Sequence, residues 1–207
     1  MTDIVCFIHS YNINNCNEIL NYFNEKGKNF FKNCNNIFHY NYGNKPENDI
    51  FKSINLLKAE EIETIKNIYS YSLNENKNTK ICYIHTKGVT TPNNICIEDW
   101  RNYMFYFCCE QFENMVKLLD SNDTCGVDLK NDPALHYSGN FWWAKSDYIK
   151  KLCHPNNIKS PLTERHKSEF WICSSNGKHF GVHDSKIPVY ERHKYRYLPE
   201  NYKGQLL

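Results

Sequence analysis

No Cys-x-x-Cys spacing occurs among the ten cysteines, which lie singly apart from Cys108-Cys109. That absence excludes zinc-ribbon and thioredoxin-type motifs, whose ligands or redox pair need the spacing. No apolar run approaches the roughly 20 residues a membrane helix requires, so no membrane span is expected. Met1 to Phe7 lack a basic stretch followed by a long apolar run, so no secretory signal is expected either. Neither sign of charge is in excess: 25 Lys and Arg are interspersed with 23 Asp and Glu, for a net charge of +2. A nucleic-acid partner would call for a basic stripe, and none is expected. No Gly-x-x-x-x-Gly-Lys occurs, which removes the P-loop. Scattered thiols without a secretory signal fit a reducing, cytoplasmic compartment, with most cysteines serving as small core side chains.

What is present is enough apolar and aromatic material for one domain of ordinary size. The 207 residues are 15% aromatic, which argues against disorder. Asp3 to His9 reads as a buried strand opening into polar Ser10-Tyr11-Asn12. A helix follows, with Ile13, Cys16, Ile19, Leu20 and Phe23 at helical spacing and Gly27 as its stop. Residues 36–42 read as a second strand broken by Gly43-Asn44-Lys45-Pro46. The pattern predicts a helix over 58–73, a strand over 80–84 and one long aromatic helix over 98–119. It continues with a short strand ending at Asp128, a short helix from Ser146, a helix over 163–173 capped by Thr163, and a last strand over 178–183. Residues 191–207, following Pro188, are expected as an extended, partly mobile tail to a domain over 1–190. Alternating strands and helices predict an α/β layered domain with a mostly parallel central sheet flanked by helices. Ligands of such sheets sit beyond the carboxyl ends of strands. His9-Ser10-Tyr11, His85-Thr86-Lys87 and Asp128 each follow a strand and should converge on one edge.

Three motifs carry chemistry. His85-Thr86-Lys87-Gly88 offers a point cation, hydroxyl and amide donors and a glycine for the turn, a set suited to a phosphate or diphosphate unless it is only a surface turn. Arg101 either reaches the same anion or pairs with Glu98 or Asp99. His136-Tyr-Ser-Gly-Asn-Phe-Trp-Trp sets a polar turn at Ser138, Gly139 and Asn140 beside two indoles. On a strand Trp142 and Trp143 point to opposite faces, so one can anchor the core while the other lines a cleft for a sugar's apolar face, unless both are core. In Glu164-Arg-His-Lys-Ser-Glu-Phe-Trp, Arg165 and Glu169 stand four apart and either pair or leave Glu169 partly desolvated against Phe170 and Trp171. In the second case Glu169 is a general base.

In this order Tyr-Ile-His-Thr-Lys-Gly (83–88), Asp-Trp-Arg (99–101), Cys-Gly-Val-Asp (125–128), His-Tyr-Ser-Gly-Asn-Phe-Trp-Trp-Ala (136–144) and Arg-His-Lys-Ser-Glu-Phe-Trp-Ile (165–172) resemble a group of bacterial, plant and large-virus glycosyltransferase-like proteins. More distantly the series is similar to the rhamnan-synthesis glycosyltransferases. The resemblance covers roughly residues 80–185 and implies a GT-A-like domain that moves a hexosyl or deoxyhexosyl group from a nucleotide-diphosphate sugar to a glycan acceptor. It implies donor contacts from His9, Ser10, Tyr11, His85, Thr86, Lys87, Arg101 and Asp128. Sugar or acceptor contacts are implied for His136, Ser138, Gly139, Asn140, Trp142, Trp143 and His166, with Glu169 and Lys87 catalytic. The Asp-x-Asp metal motif of many GT-A enzymes is absent. The nearest patterns are Glu47-Asn-Asp49 and Glu61-Ile-Glu63, and neither follows a strong strand, so dependence on Mn²⁺ or Mg²⁺ stays open. Asp128 and His183 are the weak candidate ligands, and Lys87 with Arg101 could neutralise the diphosphate instead. The alternative is a non-catalytic carbohydrate-binding or scaffold domain that retains the fold.

Overall fold

Residues 3–46, 49–75 and 77–204 are described by a computed structural model. A seven-stranded sheet runs through it in the order β3-β2-β1-β4-β8-β5-β9. These strands are β1 (Ile4–Asn12), β2 (Asn36–Gly43), β3 (Ile54–Asn55), β4 (Lys80–His85), β5 (Thr124–Gly126), β8 (Trp142–Lys145) and β9 (His179–Gly181). β1 pairs in parallel with β2 and β4, β2 with β3, and β5 with β9, whereas β8 is antiparallel to both neighbours. A second ladder joins β6 (Leu129–Lys130) to β7 (His136–Tyr137).

Both faces of the sheet are covered, which is why its central strands read as apolar runs without alternation. Ile4, Cys6 and Ile8 of β1 enter one core, and Val5 and Phe7 enter the other. The first core lies under α1 (Cys16–Lys26), α2 (Lys28–Asn33), α4 (Ile95–Phe105) and α5 (Phe112–Leu118). The second lies under α3 (Glu61–Asn74), α6 (Ser146–Ile149) and α7 (Lys167–Trp171). Trp143 goes to the first and Trp142 to the second, as the strand period requires.

Two expectations give way here. The single helix over 98–119 is α4 and α5 joined by a π turn, Tyr106–Glu110. The Cys108 carbonyl in that wider turn accepts the Trp143 indole N–H at 2.8 Å, a bond to the sheet that a continuous α-ladder would compete for. The helix over 163–173 is likewise shorter: a 3₁₀ turn, Glu164–His166, leads into α7, and the Thr163 hydroxyl bonds His166 Nδ1 instead of capping a backbone N–H.

Of the stretch expected as a mobile tail, residues 191–204 are docked on the first core, and 205–207 lie outside the described residues. Arg192, Tyr197 and Tyr202 are almost wholly buried. Tyr197 stacks on Trp100 and packs against Tyr103, while Tyr202 contacts Tyr103, Tyr106 and Phe107. Arg192 forms an ion pair with buried Asp128 and donates to the Tyr197 hydroxyl at 3.1 Å. Aromatic burial and a neutralised charge thus hold the segment down, and its polar composition conceals both. Arg192→Met would strand Asp128 as an uncompensated buried charge and should cost about 3–5 kcal/mol. Adding Asp128→Asn should recover part of that loss; urea unfolding of the four proteins measures it, and an unchanged midpoint for Arg192→Met contradicts the pairing.

Candidate active site at the carboxyl edge of the sheet

β1 and β4 run side by side with His9 opposite His85, so two imidazoles lie on the same face where β4 ends. β1 itself continues: Ser10-Tyr11-Asn12, expected as a loop, pair with Asn41-Tyr42-Gly43 of β2 and extend the strand. That extension and the turn after β4 are joined: the Thr86 amide donates to the His9 carbonyl at 3.0 Å, and the Tyr11 amide to the Thr86 hydroxyl at 3.4 Å. A further turn joins through His85, whose Nε2 lies 2.9 Å from the Gly139 carbonyl. The end of β1 and the turns around residues 86 and 140 therefore meet at the carboxyl edge.

At their centre stands a residue that the motif reading set aside, Glu61. Helix α3 leaves the carboxyl edge after β3 and returns the chain to the amino end of β4, so its first turn is bound to lie beside the strand exits. Glu61 Oε2 accepts from the Asn140 side-chain amide at 2.8 Å and from the Tyr83 hydroxyl at 3.1 Å. Oε1 lies 3.5 Å from His85 Nδ1. Asn140 Oδ1 in turn accepts the Trp142 indole N–H at 3.0 Å. Because the indole is donor only, that bond fixes which end of the amide faces Glu61. Asn140 has φ +60° and Gly139 φ +89°, left-handed conformations that Asn and Gly tolerate best.

Burial alone would raise the Glu61 carboxyl, but His85, His9, Lys87 and the Asn140 hydrogen bond hold it well below the ordinary carboxylate range. Burial pushes His9 down to about 4 and lowers His85 too, with Glu61 opposing both shifts. Near neutral pH Glu61 is therefore an ionised carboxylate and His9 a neutral imidazole, while burial and the Glu61 carboxylate pull His85 in opposite directions. His85 donates from Nε2 to the Gly139 carbonyl, which leaves Nδ1 turned toward Glu61 Oε1.

Lys87 is half-buried with its ammonium 4.3 Å from the centre of the Trp100 ring. It forms no ion pair among the described residues, although its field reaches Glu61 and His85. Arg101 is buried and donates to the Lys87 carbonyl at 3.0 Å, so it braces the loop; its nearest carboxylate, Glu98, is 4.0 Å away. Asp99 pairs with Arg196 instead. Glu169, on α7, is partly exposed; the pair with Arg165 does not form, and its charge acts on His85 and Tyr83.

Other expected contacts are placed differently. Trp142 and Trp143 both have 0% exposure and line no cleft; Trp142 instead orients Asn140. The space a Cβ on Gly139 would need is filled by Met104 Sδ, so the close approach there is to the core and not to a ligand. Ser10 is buried and spends its hydroxyl on His39 at 2.7 Å and Asn41 at 2.8 Å. His136 is buried, bonds the Ala134 carbonyl at 2.8 Å and packs on Phe170. Ser138 is buried, its amide donating to the Asp128 carbonyl at 3.1 Å, and His166 is engaged with Thr163.

A divalent cation does not fit the candidate ligands. Asp128 accepts from the Ser185 amide at 2.7 Å, the Ser185 hydroxyl at 3.0 Å and Arg192, while His183 Nδ1 is bonded to the Tyr103 hydroxyl at 2.8 Å. Among the described residues no group of three His, Cys, Asp or Glu side chains is placed to hold a metal ion. Of the two acidic patterns, Glu47 lies outside the described residues, Asp49 pairs with Lys45 at 3.2 Å, and Glu63 pairs with Lys66 at 2.8 Å.

The site's acid sensitivity follows from its histidines. Burial also holds His39 near 4, so His9 and His39 both titrate below their ordinary 6.5 when folded. The unfolded chain then binds protons that the folded one refuses. Stability should be complete above about pH 6.5 and fall as the pH drops toward 4, by up to about 1.4 kcal/mol per unit for each group. Urea unfolding at a series of pH values tests this, with His39→Gln expected to remove one group's share of the slope. A flat profile across that window overturns the neutral assignment.

A family model described as a domain of unknown function (DUF8361) matches residues 17–187. No curated protein matches the chain. The matched stretch takes in α3, β4, the Lys87 loop, the 136–144 turn and α7, so it contains every element of the site except β1, and the chain belongs to the DUF8361 family.

Proposed function

We propose that the protein is a glycosyltransferase with a GT-A-like fold that moves a sugar from a nucleotide-diphosphate donor to a glycan hydroxyl. The observation that supports it most is the meeting of the end of β1 with the turns after β4 and before β8 around one ionised carboxylate, where His85 feels both an ammonium without an ion-pair partner among the described residues and a second carboxylate, Glu169. Lys87 and the amides of its loop hold the diphosphate, doing electrostatically what a metal ion does elsewhere. The acceptor oxygen attacks the anomeric carbon as Glu169 takes its proton, and the bond to the diphosphate breaks with its electron pair leaving toward Lys87. Direct attack of this kind inverts the anomeric centre. Glu61 is a poor base because its carboxylate is stabilised by two hydrogen bonds and nearby positive charge. Its role is to orient Asn140 and His85.

Binding of carbohydrate without turnover is the second reading. It is favoured by one observation, the engagement of both Asp128 oxygens by Arg192 and Ser185. Release of nucleoside diphosphate from a panel of nucleotide sugars, with glycan acceptors and with or without Mn²⁺, separates the two. Glu169→Gln should lower kcat about 10²–10⁴-fold with donor affinity kept, whereas Lys87→Met should weaken donor binding itself. Wild-type turnover by Glu169→Gln removes the base assignment, and donor binding without diphosphate release favours the second reading.

A further inference from the structure

The chain has four tryptophans, and three of their indole N–H groups are bonded within the fold: Trp142 to Asn140 Oδ1 at 3.0 Å, Trp143 to the Cys108 carbonyl at 2.8 Å and Trp171 to the Cys153 carbonyl at 3.0 Å. Trp100 differs. Its side chain is 9% exposed, and its Nε1 is buried without an acceptor among the described residues. An indole nitrogen is a donor only and cannot turn its hydrogen elsewhere, so a buried one left unpaired calls for an acceptor from outside the fold.

Its neighbours share the deficit. Arg101, next on α4, has no acceptor for Nε, and Arg192, whose guanidinium carbon lies 5.7 Å from the Trp100 ring centre, has none for Nε or Nη2. Among the described residues, every buried indole or guanidinium N–H that lacks an acceptor belongs to one of these three side chains. The Lys87 ammonium lies 4.3 Å from the same ring centre. Nearby carboxylates do not balance this set, since Asp128 is taken by Arg192 and the largely exposed Glu98 stands 4.0 Å from Arg101. Donors and positive charge are thus in excess around one indole, a deficit that an anion with several acceptor oxygens makes good. Of the Asp-Trp-Arg motif, Asp99 is spent on Arg196 and Arg101 on the Lys87 carbonyl, which leaves the indole N–H as the member free to meet a ligand.

We propose that Trp100 is a binding residue, its N–H donating to an oxygen of the same phosphate or diphosphate group that Lys87 attracts. Lys87 Nζ lies over the ring that carries Nε1, so the oxygens of one phosphate can meet both donors. Lys87 is only half-buried and its stem is flexible, so the ammonium moves with an incoming anion and opens the indole edge to it. The two donors then differ in what they supply. Lys87 contributes a point charge that any anion feels, and the indole contributes one directed bond that fixes how the phosphate lies. Identifying the group as the leaving diphosphate of a sugar donor rests on the transferase reading; the anion site itself does not.

The test is titration of the full, isotope-labelled chain with inorganic pyrophosphate while the indole N–H resonances are followed by NMR, Trp100 being the one missing from Trp100→Phe. The Trp100 resonance should move downfield while those of Trp142, Trp143 and Trp171, already bonded, hold still. Trp100→Phe keeps an aromatic face under Lys87 but has no N–H, and calorimetry should show its pyrophosphate affinity weakened about tenfold. If that variant fails to fold, Trp100 is assigned from backbone connectivity and the wild-type titration still decides. Pyrophosphate binding that leaves the Trp100 resonance unmoved, equal affinity in a folded Trp100→Phe chain, or no pyrophosphate binding at all overturns the proposal. Pyrophosphate held at Trp100 by a chain that turns over no nucleotide sugar upholds the anion site and removes the transferase reading; turnover with a silent Trp100 resonance does the reverse.

Discussion

The carboxyl edge depends on one requirement: the Glu61 carboxylate, held at the start of a helix among aromatic rings, must be satisfied. Its donors come from separate elements, Tyr83 from β4 and Asn140 from the turn before β8, so satisfying it draws the helix start onto two strands. Each donor is fixed in turn. Asn140 is held by the Trp142 indole, and the same turn presents the Gly139 carbonyl that sets the His85 tautomer. Hydrogen bonds to a charged group in a poorly solvated place are worth more than neutral ones, and losing one leaves the others strained for a partner. A buried carboxylate therefore acts here as an organiser of neighbouring groups more than as a reagent.

Trp100 plays a comparable part on the other face. The Lys87 ammonium lies 4.3 Å and the Arg192 guanidinium carbon 5.7 Å from its ring centre. Arg192 also neutralises Asp128 at the exit of β5, so a chain of contacts runs from the Lys87 loop through an indole to the docked segment and back to the sheet. Buried charges in this chain are each matched to an opposite charge or an aromatic face, which is how a domain tolerates them. The consequence is that the segment after residue 188 and the Lys87 loop share a wall.

Much of this was legible in the residues. Strand runs ending in His9, His85 and Asp128 placed those side chains on one edge because the sheet's period and direction leave no other arrangement. The opposite faces of Trp142 and Trp143 followed from the same period, but their complete burial did not, since alternation says which way a side chain points and nothing about what covers it. The break in the helix at Tyr106–Glu110 goes with a carbonyl, that of Cys108, which accepts an indole N–H from a strand 35 residues on, a long-range bond that local pattern cannot register. Glu61 does not stand out as a metal ligand, because its Glu-Ile-Glu pattern follows no strong strand. The signal that could have found it is topological: a crossover helix between parallel strands starts where those strands end, so an acid in its first turn belongs to the site.

The same logic explains why the docked segment read as a tail. Its periodicity is that of no helix or strand; its attachment rests on isolated side chains, Arg192, Tyr197 and Tyr202, each finding a partner presented by α4 or β5. Residues of this kind are informative only once the surface they meet is known. An unpaired acid at the end of a buried strand demands a cation from somewhere in the chain, and Asp128 is such an acid. Its nearest basic neighbour in sequence, Lys130, is taken by Asp184, so the cation that neutralises Asp128 is Arg192, which brings the docked segment with it.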